Sequence, residues 1–376
     1  MIADGHSYTI GVEEEYQIVR ADTRDLVSRA SRLVSRVNEG LQDAEATHEL
    51  YLSQIECVTP VCRRLDEIRE AVARMRAGAI RAAEPLGLRI ASCGSHPFAT
   101  WEKQRVTPKG RYLSILEEFQ QIAREEIIFG MHVHVGIDDP DEAIRVINRV
   151  RPWLPVILAL SASSPYWMGS DSGYASYRTV QFGRMPTVDV PVPYASRADY
   201  DAMIRTLIES DCIPEPSRVY WDVRPSAHYP TIEFRIGDAC PTVDETVLIA
   251  ALCRSLARTC HEQLRRGEPD RDIPLELLRC AKWRAARYGL DMDLIDPETL
   301  RSGPALEVVR KLLKFLRQDL EVHGEWDEVA TLTHELLERG NSARRQRAAF
   351  ERSGRLEDVV ALIVEETARG VAVGAG

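Results

Sequence analysis

Three stretches of this 376-residue chain alternate between apolar and polar side chains, and that alternation constrains its fold more than any other feature. Residues 8–19, 129–137 and 231–236 repeat with period two, the period of a β-strand, whose successive side chains point to opposite faces. In the first, Ile10, Val12, Tyr16 and Ile18 share one face while Gly11, Glu13, Glu15 and Gln17 share the other, and Glu14 falls on the mostly apolar side. In the second, Val133 and Val135 oppose His132 and His134; in the third, Ile232, Phe234 and Ile236 oppose Glu233 and Arg235. Strands with one apolar and one charged face call for helices over the first and an active-site cavity over the second, so the expected class is α+β.

Helical periodicity marks residues 65–86, 112–128 and a segment from Pro140, with Asp139 as its N-cap. Thr242 and Glu245 form a capping box ahead of the stripe Val247, Leu248, Ala251, Leu252, Ser255 and Leu256, and the remainder to about residue 369 reads as helix. Residues 161–195, rich in Ser, Gly, Pro, Tyr and Arg, suit a long functional loop. No internal repeat or domain boundary interrupts the chain, and residues 1–376 are expected to form a single catalytic domain.

The charged faces carry the chemistry. Glu13 and Glu15 project side by side, where their repulsion needs cations to offset it; hard oxygen ligands favour Mg²⁺, although an isolated E-x-E also suits a solvated acidic strand. Glu49 and Glu56 add two carboxylates of opposite parity, which converge only across a bend or bulge. His132 and His134 suit either two ligands on one metal or one working imidazole with a structural partner. Glu233 and Arg235 pair a metal ligand with a guanidinium suited to a phosphoryl group, or form a salt bridge. Jointly these residues look like a cage for roughly two or three Mg²⁺ ions around polyphosphate. No G-x-x-x-x-G-K-[ST] run exists, and the glycine-rich stretch 370–376 is terminal, so an ATP site here is not a P-loop.

A net charge of −10 argues against general nucleic-acid binding and leaves small molecules as the expected partners. No apolar run is long enough to span a membrane, and the opening residues lack a signal region, so a cytoplasmic protein is expected. The eight cysteines form no C-x-x-C pair and read as reduced, mostly core residues. A homodimer is compatible with all of this.

The motifs Gly11-Val12-Glu13-Glu14-Glu15, Ile55-Glu56-Cys57-Val58-Thr59-Pro60, Gly130-Met131-His132-Val133-His134-Val135-Gly136 and Thr231-Ile232-Glu233-Phe234-Arg235 occur in order. Ser92 to Phe98, Ala175-Ser176-Tyr177-Arg178, Trp221-Asp222-Val223-Arg224-Pro225 and Gly340-Asn341-Ser342-Ala343 extend the pattern over nearly the whole chain. With these motifs the chain resembles the YbdK-type carboxylate-amine ligases, also called glutamate-cysteine ligase family 2. The resemblance implies a glutamine synthetase-like fold, a curved and largely antiparallel sheet with helices on its convex face and a metal and ATP funnel on its concave face. It also implies metal-site roles for Glu13, Glu15, Glu49, Glu56, His132 and Glu233, with Glu49 standing where more distant ligases carry Asp. Catalysis would rest on Glu13, Glu233 and the phosphate-contacting Arg235, while His134, Arg178, Arg224 and Arg235 would bind substrate or nucleotide. The implied reaction uses ATP and Mg²⁺, or Mn²⁺ in its place, to phosphorylate a carboxylic acid such as glutamate and join it to cysteine or another amine. A zinc-dependent hydrolase built on the His-x-His strand and a non-catalytic amino-acid- or nucleotide-binding relative are the alternatives.

Overall fold

The computed structural model describes residues 7–40 and 45–371; the first six residues and the end of the glycine-rich tail lie outside them. In chain order the elements are β1 (Ile10–Arg20), α1 (Ala30–Gly40), β2 (Glu45–His48), β3 (Gln54–Val58), α2 (Leu65–Ala83), β4 (Leu88–Ala91), α3 (Gly110–Phe119), α4 (Gln121–Arg124), β5 (Met131–Gly136), α5 (Pro140–Val150) and α6 (Leu154–Ser161). There follow β6 (Tyr166–Trp167), β7 (Ser170–Asp171), α7 (Tyr177–Phe182), α8 (Arg197–Glu209), β8 (Val223–Pro225), β9 (Thr231–Phe234), α9 (Val243–Arg265) and α10 (Leu275–Tyr288). A small hairpin, β10 (Leu294–Ile295) and β11 (Ser302–Gly303), precedes α11 (Ala305–Val322), α12 (Trp326–Arg339), α13 (Ser342–Ser353) and α14 (Leu356–Ala368).

The main sheet is open, runs β2-β3-β1-β5-β9-β8 with β4 also paired to β1, and is antiparallel at every pairing. Its apolar face carries Val12, Tyr16, Ile55, Val133, Val135, Ile232 and Phe234 into one core with Ile68, Val72 and Met75 of α2 and Val247 and Leu248 of α9. The α+β arrangement, with helices on one face and a cavity on the other, is therefore the observed one. No helix among the described residues is long and apolar enough to cross a membrane. Six cysteines are buried, while Cys212 and Cys280 are exposed.

Local signals place several helix starts. Asp139 accepts hydrogen bonds from the Asp141 and Glu142 N–H groups at the start of α5, and the Thr242–Glu245 capping box opens α9. The helix expected over 112–128 is not continuous. It breaks at Gln120, whose φ is 48°, resumes only to Arg124, and gives way to extended chain that bridges Ser95 at Ile128. Tertiary pairing of this segment, and the Tyr51 hydroxyl bonded to Arg124 O at 2.5 Å, override the helical period. The stretch 161–195 is also more ordered than a loop, holding the β6–β7 hairpin and α7.

Glu14, placed by parity under the sheet, is fully buried. Arg76 of α2 spans its carboxylate with two bonds, Nη2 to Oε1 at 2.5 Å and Nε to Oε2 at 3.1 Å. Thr246 of α9 and the Tyr16 hydroxyl donate to the same carboxylate at 2.6 and 2.5 Å. The Cys240 carbonyl accepts from Arg76 Nη2 at 2.8 Å, so both buried charges are multiply bonded. Removing one partner strands the other: Arg76→Ala should lower the free energy of unfolding by about 3–5 kcal/mol, read from urea denaturation midpoints.

Candidate active site

Register, not sequence proximity, assembles the site. Residues opposed across antiparallel strands share a face, and Glu15 faces Glu56, Glu13 faces His132, His134 faces Glu233, and Glu233 faces Arg224. One line of polar side chains thus crosses β3, β1, β5, β9 and β8. Glu49 joins it from the turn after β2, where the bend between β2 and β3 cancels its opposite parity. Arg235, one residue beyond β9, still donates its N–H to Asp222 O at 2.8 Å and keeps its side chain on this face. All of these residues, with Arg178, line one cavity of about 510 Å³.

The acidic side and the cationic side of the cavity differ in balance. Glu13 bridges both imidazoles, with Oε2 2.8 Å from His132 Nδ1 and Oε1 3.1 Å from His134 Nε2. Burial works to raise its carboxyl, but these hydrogen bonds hold it well below the usual range. Burial and then Arg235 push His132 down to about 4, so it is neutral near pH 7 and able to act as a ligand. Glu233, against the cost of burial, is held ionised by Arg235 and Arg224. Arg224 meets it through Nε at 2.8 Å and Nη2 at 3.3 Å, and Arg235 through Nη1.

Across the cavity, Glu15, Glu49 and Glu56 crowd one another. Burial and the neighbouring Glu49 charge push Glu15 up to about 8, despite Arg178 and the Gly130 N–H, which donates to Glu15 Oε2 at 2.5 Å. Burial, with Glu49, Glu13 and Glu15, drives Glu56 well above the carboxylate range. Three groups of donors bring their ligand atoms within 4.8 Å of one another: Glu13, Glu56 and His132; Glu13, His134 and Glu233; and Glu15, Glu49 and Glu56. Oxygen donors dominate, and crowded carboxylates are the arrangement a divalent hard cation relieves, so these residues fit such ions. His132 and His134 fall in different groups, an arrangement that disfavours one zinc ion held by both. His134, expected to bind substrate or nucleotide, lies in the second of these groups.

The two remaining arginines differ. Arg224, on β8, has its donors taken up by Glu233 and by the carbonyls of Ser217 and Val219. Arg178, on α7, is 4% exposed, and its Nε has no hydrogen-bond partner. It lies across Gly130, where a Cβ would overlap its Nη2, so that glycine is required by close approach. Asp238 stands 3.9 Å from Arg178 Nη1 and is anchored by Ser164 and Ser176 hydroxyls, each at 2.7 Å.

Sequence reasoning passed over Lys109, Arg111, Tyr112, Glu126 and Tyr220, which also line the cavity. For Glu126 a signal existed. Residues 126, 128, 130, 132 and 134 share parity, so Glu126 continues the cavity-facing row of β5 upstream, a pattern masked by the helix expected over 112–128. The other four are brought in by tertiary packing and carry no period-two signal.

The model of the family described as glutamate-cysteine ligase family 2 matches residues 9–362. A protein of Frankia alni with the provisional name glutamate–cysteine ligase 2-3 is 42% identical over 366 residues, covering 97% of this chain and 42% of its own length. The chain thus spans about two fifths of that relative, whereas a Solibacter usitatus protein provisionally named glutamate–cysteine ligase 2 is 36% identical over 97% of this chain and 94% of its own. Among solved structures, a glutamate–cysteine ligase from Francisella tularensis in complex with AMP superposes with a TM-score of 0.72 at 12% identity, over 98% of this chain and 90% of that one. A bifunctional glutathione synthetase from Pasteurella multocida gives 0.71 at 17% identity, over 96% and 52%. These likenesses place the fold with the glutamate–cysteine ligases.

If the three donor groups hold divalent cations, millimolar Mg²⁺ or Mn²⁺ should raise the melting temperature by several degrees, about 2–3 kcal/mol of linkage near 100-fold saturation, and EDTA should reverse it. Glu56→Gln should abolish most of that shift in calorimetry; an undiminished shift would place the ions elsewhere.

Proposed function

From the premise that this chain belongs to glutamate-cysteine ligase family 2, we propose that it is an ATP-dependent carboxylate-amine ligase whose whole length acts as one catalytic domain. The acid is glutamate, activated at its γ-carboxylate; the amine is cysteine or another amino compound, and ADP and phosphate are released. The observation that carries this reading is the cavity's division into a carboxylate-rich side and an Arg235–Glu233–Arg224 side. That pairing suits phosphoryl transfer, where a fixed guanidinium meets the charge of the migrating group. An idle relative would have no need of so complete a donor set.

Glu13, Glu15, Glu49, Glu56, His132 and Glu233 would hold the Mg²⁺ ions, with His134 beside them. When bound, such ions offset the negative charge of the nucleotide's phosphate oxygens. Arg235, kept protonated against burial by Glu233, offers its guanidinium to the phosphoryl group moving from ATP to the acid. Glu233 orients that guanidinium, and Arg224 braces Glu233 from the other side. Arg178, with an uncommitted Nε, is the better arginine for the acid's α-carboxylate, since Arg224 has its donors occupied. The resulting acyl phosphate carries a good leaving group, and amine attack expels phosphate without a covalent protein intermediate.

The direct assay traps the acyl phosphate. Enzyme, ATP, Mg²⁺, glutamate and hydroxylamine should yield γ-glutamyl hydroxamate and ADP, with aspartate a poor substitute because its carboxylate falls one methylene short of the phosphoryl line. AMP in place of ADP would mean adenylation. No product from any acid in a broad panel would favour the non-catalytic alternative.

Arg235→Lys keeps the charge but loses the planar fork. It should lower kcat by about 10²–10³-fold while changing ATP affinity little. A loss confined to ATP affinity would restrict Arg235 to ground-state binding.

A further inference from the structure

Among the described residues, six glutamates line the cavity, and Glu126 alone belongs to none of the three donor groups. Its surroundings differ from theirs. Ile115, Ile128, Phe182, Met185 and Tyr220 line the same cavity, and all but Ile128 gather into a small hydrophobic cluster apart from the main core. Arg184, in the chain between Phe182 and Met185, lies 3.4 Å from Glu126 Oε1, while Oε2 has no hydrogen-bond partner although the residue is only 7% exposed. A buried carboxylate with an open acceptor position is costly, and in a substrate cavity it is a place for a substrate donor. Polyphosphate suits the cation-binding side, and the apolar side chains beside Glu126 suit the less charged reactant, the amine.

We propose that Glu126 is the general base of the coupling step, receiving the ammonium group of the amine substrate and removing one of its protons. The inference rests on the ligase reading above. The ammonium N–H donates to a carboxylate oxygen of Glu126 and transfers its proton, leaving a neutral amine and a carboxylic acid. The freed nitrogen lone pair forms the C–N bond to the acyl carbon, and the carbon–oxygen bond to phosphate breaks with its electron pair going to phosphate. That phosphate takes up the second proton lost by nitrogen. The amine is therefore one that arrives protonated: an alkylammonium, such as the α-ammonium of an amino acid.

The setting suits a base working at neutral pH. Burial raises Glu126 to about 7, against the attraction of Arg184 and Arg178, and Glu125 acts in the same sense as burial. Tyr51 also faces it and is itself pushed up by burial and by the Glu126 charge.

Hydroxylamine, already unprotonated at neutral pH, provides the test, because it needs no base. ADP release is measured with hydroxylamine and with cysteine, other amino acids and primary alkylamines, for the wild type and Glu126→Gln. Coupling to the alkylammonium substrate should fall about 10²–10⁴-fold in the variant while hydroxamate formation stays within about threefold. The rise of the wild-type amine rate with pH through about 7 should also vanish. Equal losses with both nucleophiles, no loss with either, or a wild type that uses hydroxylamine but no alkylammonium at any pH would overturn the proposal. Should Glu126→Gln fail to fold, Glu126→Asp replaces it; a smaller but same-sided split is expected, and an equal loss again overturns it. A wild type that forms no hydroxamate at all would instead sink the ligase reading on which this one stands.

Discussion

The ion pair between Glu14 and Arg76 is the constraint on which the cavity depends. Three glutamates in a row cannot all face one way on a strand, so building Glu13 and Glu15 into a site forces Glu14 into the core. Arg76, Thr246 and Tyr16 satisfy it there, and in doing so tie β1 to α2 and α9. A one-residue slip of β1 would bury Glu13 and Glu15 without partners and expose Glu14 to the cavity, so the pair acts against that alternative as much as it holds the native state.

Above the sheet, charge is balanced unevenly by design of the register. Glu233 sits between two guanidiniums and is held ionised, whereas Glu15 and Glu56, at the other end of the same polar line, are pushed toward their protonated forms. Glu13 and the two imidazoles stand between these extremes. The result is a gradient along a single row of cross-strand neighbours, with an unmet need for positive charge at one end and a guanidinium pair at the other.

Much of this was legible because both faces of the strands announce themselves by period two. The strand segments, the faces of Glu13, Glu15, His132, His134, Glu233 and Arg235, and the caps at Asp139 and Thr242 all follow from patterns among residues close in sequence. What was hidden depends on distant partners. The convergence of Glu49 with Glu56 needs the bend between β2 and β3, and Arg224 is defined by its pairing with Glu233 across β8 and β9. Residues 120–128 have a helical period, yet pairing with Ser95 draws their end into extended chain, which is why Glu126 was concealed. The family resemblance supplied the metal and arginine roles, which no local pattern could distinguish from salt bridges.

The row that crosses five strands is also ordered in time. A ribosome delivers Glu13, Glu15, Glu49, Glu56 and both histidines within the first 134 residues, and Glu233 and Arg235 only about a hundred residues later. In the nascent chain the crowded acidic side therefore exists before the guanidinium side, and β9 is the closing strand that converts a repulsive half-cavity into a whole one. The last strands of the central sheet to be synthesised, β8 and β9, are the ones that carry Arg224 and, one residue past β9, lead into Arg235.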